Sequence, residues 1–157
     1  MATKQSEEEL ATPLGHVVIQ FNYLEIDLGQ TISRLVKTDD TVGAIFATLA
    51  MNTKLALIRQ IASTKLADNA KAAQLKNLLK RVEDLNNKRN AYIHGEYIPV
   101  VDPQENYLGM MHRRMKNSLG PFEGIESKVL ETLADDVRIL AGDLRRFTAT
   151  MFDLAPD

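Results

Sequence analysis

The last quarter of the chain carries the tightest constraint on what it can fold into. Leu130, Leu133, Val137, Leu140, Leu144, Phe147, Met151 and Leu154 follow one another at steps of three and four. That spacing stacks them along one stripe of a helix running from about Glu126 to Phe152. A stripe of this kind is stable in water only when another apolar surface covers it. The same rhythm recurs earlier. Leu14, Val17, Phe21, Leu24, Leu28, Ile32 and Leu35 define a first long helix, and Leu75, Leu78, Leu79, Val82, Leu85, Tyr92 and Ile93 define another that begins near Asn69 and ends at His94-Gly95. Helices of about 25 residues are roughly 37 Å long at 1.5 Å per residue, and they cover one another's stripes only by lying side by side. The expected fold class is therefore all-α, an up-and-down bundle of about five helices. The seam on the last helix is longer than one chain's core needs, which predicts that part of it faces a second copy in a homodimer.

Local signals place the element ends. Thr12 and Pro13 suit the N-cap and first-turn positions, which puts residues 1–11 in a polar, disordered tail and residues 12–157 in a single domain. Thr38-Asp39-Asp40 interrupts the first helix. Asp40 or Thr41 then caps a short helix through Leu49, and Asn52 or Thr53 caps another that carries Leu57, Ile58, Ile61 and Ala62. Gly95 stands where a left-handed C-terminal cap belongs. From about residue 96 to 124 the helical period disappears. Tyr97 to Val101 and Tyr107 to Met111 flank the turn-forming stretch Asp102 to Asn106, which predicts a short hairpin or an ordered flap inserted between the last two helices. Pro99 confines the first strand to an edge.

Composition excludes several classes of function. With 19 Lys+Arg against 21 Asp+Glu in 157 residues, the chain lacks the bulk positive charge of a protein that coats nucleic acid, though a local basic site is compatible with it. The absence of cysteine removes disulfides, thiolate metal clusters and a cysteine nucleophile. The longest uncharged run, Thr41 to Thr53, is 13 residues, short of the roughly 20 apolar residues that span a bilayer. No signal-like segment opens the chain, so the expectation is a cytoplasmic protein without a membrane partner. There is no Gly-rich phosphate loop, no His-Glu-x-x-His and no Gly-x-Ser-x-Gly, and the three histidines are scattered. No metal and no cofactor is expected.

The chemistry rests on polar residues standing where the pattern asks for apolar ones. Leu75, Val82 and Arg89 are seven apart on one line of their helix. A permanent cation thus takes a core-facing position and needs a carboxylate, a bound anion or an opening onto a cleft. Asn86 lies on the same face, and Asn90 and His94, four apart, share the neighbouring one. On a regular helix Arg89 and His94 point about 140° apart, so they meet only if the helix end distorts or a second chain supplies one of them.

The segment Arg89-Asn90-Ala91-Tyr92-Ile93-His94-Gly95, closing a long helix in an all-helical domain of this size, resembles the HEPN family signature, an Arg followed by a polar residue and, a few residues on, a His. The resemblance implies a dimeric, metal-independent endoribonuclease of the toxin or antiviral-defence kind, with two such motifs facing each other across a dimer cleft, RNA as substrate, and an antitoxin or regulatory protein as partner. In that scheme Arg89 holds the scissile phosphate, His94 moves a proton, and Asn90 orients either His94 or the phosphate; these roles suit a bidentate guanidinium and an imidazole that titrates near neutrality. Glu25, where family members often carry an acid, is the expected partner of Arg89 or His94, with Asn86 in support. Family members controlled through a tyrosine two residues after the His have no counterpart here, since Glu96 holds that position and Tyr97 follows it. His112, Arg113, Arg114 and Lys116, in the insert, form a basic cluster suited to an RNA-binding flap. The second reading is a catalytically inactive helical dimer of the same kind that binds a protein or a nucleotide.

Overall fold

The computed structural model describes residues 7–66, 69–113 and 123–151. Among them are five helices, α1 (Glu7–Leu35), α2 (Asp40–Ala47), α3 (Met51–Lys65), α4 (Asn69–Ile93) and α5 (Ser127–Thr150), and a small sheet of β1 (Glu96–Val101), β2 (Tyr107–Arg113) and β3 (Glu123–Gly124). The protein is mainly helical, with the sheet between the last two helices. Among the described residues no helix is long and apolar enough to cross a membrane.

The chain divides into two compact units. One comprises residues 20–83 and 137–157. It buries Phe21, Leu24, Leu28 and Ile32 of α1, Leu55 and Ile58 of α3, Leu75, Leu79 and Val82 of α4, and Leu140, Leu144 and Phe147 of α5. The three-four spacing of α1, α4 and α5 is therefore the spacing of a core. Helix α1 ends in a six-residue closure: Thr38 N donates to Ser33 O and Lys37 N to Arg34 O, with Lys37 in the left-handed region at φ 58°, a Schellman stop made without glycine. Asp39 then caps α2 by accepting from Val42 N. Helix α3 starts after Ala50, which makes no side-chain cap, rather than after Asn52 or Thr53. Its start is held by the burial of Lys54 and Leu55 instead.

Two close approaches hold this unit together. Gly29 of α1 sits against α2 so tightly that a Cβ there would lie 2.5 Å from Gly43 O and 2.7 Å from Ala47 N. Backbone cannot retreat as a side-chain end can, so Gly29→Ala is expected to cost about 1–3 kcal/mol. Gly15, on the same helix with nothing within 4 Å of its missing Cβ, is the control: Gly15→Ala should raise stability by about 0.5–1 kcal/mol through helix propensity. Urea midpoints of the two variants moving together would contradict this. The second approach is polar. Arg145 Nε reaches both oxygens of Asp27 at 2.9 Å. Burial raises the Asp27 carboxyl above its usual range, and the Arg145 guanidinium opposes that rise. Arg145 and Arg146 themselves are 59% and 74% exposed.

The other unit comprises residues 1–19 and 84–136. Here α1 begins at Glu7, five residues before Thr12, and Pro13 lies inside the helix. The reason is burial: Leu10, Pro13 and Val17 are all buried, so the apolar stripe continues upstream and outweighs the amide that proline removes. Leu85, Ile125, Leu130, Leu133 and Ala134 complete the core of this unit. β1 and β2 form the expected antiparallel hairpin, and β1 is indeed an edge, the strand order being β1-β2-β3. Asp102 builds the turn by accepting from Gln104 N and Asn106 N at 2.9 and 2.8 Å, an Asx turn, and these contacts hold its carboxyl below the usual range, Asn106 contributing most. Glu105 takes the positive φ that closes the loop.

The seam of α5 is used within the chain. Leu130, Leu133, Val137, Leu140, Leu144 and Phe147 are at most 3% exposed, which removes the seam as a surface for a second copy; Leu154 lies outside the described residues. An apolar stripe does remain in water on α1. Ile19, Tyr23 and Ile26 are 47%, 51% and 48% exposed and, at steps of four and three, share the side opposite Val17, Phe21, Leu24 and Leu28.

Candidate functional site

The polar end of α4 is shaped by how the helix stops. An α-helix leaves its last four carbonyls without intrahelical donors, and α4 finds donors for three in succession. His94 N donates to Asn90 O at 3.2 Å, His112 Nε2 to Ala91 O at 2.8 Å, and Tyr97 Oη to Tyr92 O at 2.7 Å. A carbonyl only accepts, so His112 carries a proton on Nε2. Tyr97 and His112 are cross-strand partners in the hairpin register, so one rung of the sheet supplies caps to two consecutive carbonyls. Their rings pack together, with centroids 4.9 Å apart, and the Tyr92 ring lies 5.3 Å from His112. Burial in this cluster, with Tyr92 beside it, pushes the Tyr97 phenol up to about 12.

Gly95 has a different role from the one its position suggested. The one described glycine with a positive φ is Gly109, so Gly95 is not a left-handed cap. A Cβ on Gly95 would lie 1.9 Å from His112 Nε2 and 2.7 Å from Ala91 O. The residue is glycine because the capping imidazole occupies the space of a side chain.

Within the last turns, Arg89 is half-buried, in contrast to Leu75 and Val82 on the same line, which are 1% and 0% exposed. Among its partners is Asn90, whose Oδ1 accepts from Nη1 at 2.9 Å. Asn90 therefore orients Arg89. Asn86 is half-buried one turn earlier, and His94, just beyond the helix, is exposed. Helix geometry thus leaves a guanidinium steadied by its neighbour and an imidazole accessible to solvent at the same helix end.

Two expected site residues have partners other than those expected. Glu25 accepts from Lys54 Nζ at 2.6 Å, where it was expected to serve Arg89 or His94. Lys54 is 0% exposed, and a buried ammonium needs a carboxylate. His112, expected on an RNA-facing surface, is 5% exposed because its ring caps Ala91 O and packs against Tyr92 and Tyr97, while strand alternation sends Arg113 to the other face. Arg113 donates through Nε and Nη2 to Glu96 Oε2, its cross-strand neighbour, so much of its charge is balanced on the hairpin itself. Arg114 and Lys116 lie outside the described residues. His112 and Arg113 are accordingly on opposite faces of the sheet, because adjacent positions in a strand face opposite ways; the cap made by Tyr97 has no sequence signal.

Beside this helix end is an open cleft of about 330 Å³ lined by Lys88 and Tyr92 of α4, Glu126 before α5, and Lys128, Thr132 and Asp136 among the α5 residues. Two cations and two carboxylates give it no net preference for an anion. Comparison of the chain with protein-family models, with curated proteins and with solved structures finds no match in any of the three.

Proposed function

We propose that this protein is a HEPN-type, metal-independent endoribonuclease of the toxin or defence kind, working as a homodimeric up-and-down bundle in the cytoplasm. The observation that carries the reading is the end of α4: Arg89 steadied by Asn90 Oδ1 at 2.9 Å, with His94 exposed just past the helix. Arg89 binds two oxygens of the scissile phosphate and stabilises the charge that builds on it. His94 takes the proton of the RNA 2′-hydroxyl as it attacks phosphorus, or delivers one to the leaving 5′-oxygen, the partner copy's motif supplying the complementary role. Asn90 keeps the guanidinium aimed. The apolar stripe of Ile19, Tyr23 and Ile26 supports an interface with a second copy or with an antitoxin or regulatory protein.

That stripe also favours the second reading, a catalytically silent helical dimer that binds a protein or nucleotide. The two readings part at Arg89. For the enzyme, Arg89→Ala abolishes RNA cleavage with its melting temperature within about 2 °C of wild type, and Arg89→Lys fails to restore it, because an ammonium does not reproduce the two-pronged contact. For the silent module, Arg89→Ala instead lowers the melting temperature by several degrees, as a structural loss of about 1–3 kcal/mol does in a domain of this size.

A further inference from the structure

We infer that His112 is a positioning residue for the Arg89–His94 turn: its imidazole, delivered by the hairpin, sets the course of the chain through His94 and Gly95. Three observations converge. The Nε2 of His112 holds Ala91 O at 2.8 Å, inside the segment that joins Arg89 to His94. The same nitrogen fills the space over Gly95, so the residue after His94 is fixed from above as well. Tyr97 holds the next carbonyl, Tyr92 O, from the paired strand. Helix ends without such partners fray. Here the fraying would begin in the turn that carries Asn90 and Arg89 and would leave His94 free to wander.

The Glu96–Arg113 ion pair on the opposite face of the strands already joins β1 to β2 beside Gly95. The capping pair adds orientation at the helix end. His112 does not touch the substrate in this scheme; it acts through the main chain of residues 91–95. The inference rests on the ribonuclease reading for its kinetic consequence and on geometry alone for its conformational one.

The test uses the full chain with His112→Phe, which keeps a ring and removes the donor, His112→Gln, which returns an N–H near the Nε2 position, and Tyr97→Phe, which removes only the phenolic donor. Two readouts are taken: steady-state cleavage of RNA, and amide hydrogen exchange resolved along α4. The expected result is that His112→Phe lowers kcat about tenfold to a hundredfold with KM within about twofold, and that His112→Gln recovers most of the loss. Exchange at Ile93 and His94 rises about tenfold in His112→Phe and in Tyr97→Phe, while exchange at the centre of α4 is unchanged. Equal loss of kcat in His112→Phe and His112→Gln, or unaltered exchange at Ile93 and His94 in both donor deletions, overturns the inference. If the wild-type protein cleaves no RNA, the ribonuclease reading fails instead, and the exchange profile then decides the positioning role by itself.

Discussion

Glu25→Ala is expected to destabilise the fold by about 3–5 kcal/mol, the cost of leaving a buried charge without its partner. Lys54 is 0% exposed and Glu25 is 32% exposed, so the two ends of this ion pair are unequal. Removing the carboxylate strands an ammonium in the core without a hydrogen-bonded counter-charge. Removing the ammonium leaves a carboxylate that can still reach solvent. Lys54→Met, which keeps the stem's volume without the charge, should therefore cost less than about 1.5 kcal/mol. The double variant Glu25→Ala with Lys54→Met should recover most of what Glu25→Ala loses. Urea denaturation of the three variants checks the order. Equal losses in both single variants would show that the pair acts through packing rather than charge. The same proteins also address catalysis, because a Glu25 that serves Lys54 is dispensable for RNA cleavage once Lys54 is Met.

That asymmetry marks how far sequence pattern reaches. Residues in the apolar stripes from Val17 to Leu35 and from Leu130 to Phe147 are at most 7% exposed, because a three-four period is a direct record of which helix face meets the core. The hairpin was legible for a similar reason: Asp102 and Asn106 advertise the turn that their side chains make. Lys54 gave no warning. It occupies a position between apolar neighbours on α3, and its carboxylate is 29 residues away, a distance at which no local rule operates. Pro13 reads as a first-turn residue, whereas the burial of Leu10 extends α1 upstream past it to Glu7. β3, with two residues, is too short to show any alternation.

The candidate site was legible in part. Arg89, Asn90 and His94 stand out as polar residues closing an apolar helix, and the structure adds the Arg89–Asn90 hydrogen bond between neighbours. What the pattern missed is how that end is held. Carbonyl groups have no sequence, so a cap delivered from a strand 21 residues downstream leaves no mark except a glycine where the donor comes close. Gly95 is that mark, and it admits two explanations, a left-handed cap or a close approach; the imidazole over it decides for the second. His112 was grouped with Arg113 because they are adjacent in the chain, although adjacency in a strand means opposite faces.

The largest effect on activity is expected at His94. A general acid or base contributes about 10²–10⁴-fold to a reaction rate, and a residue on which both halves of a composite site depend sits at the upper end. His94→Ala should therefore reduce cleavage below detection, and since His94 is exposed at a helix end the variant should fold as wild type does. The most direct measurement is cleavage of total cellular RNA by the purified protein in EDTA, with His94→Ala prepared identically and the product ends determined. Cleavage by the wild type alone, leaving 2′,3′-cyclic phosphate ends, is the predicted result, because attack by the 2′-hydroxyl closes that ring. Cleavage that persists in His94→Ala, ends that lack the cyclic phosphate, or intact RNA with both proteins would contradict the assignment.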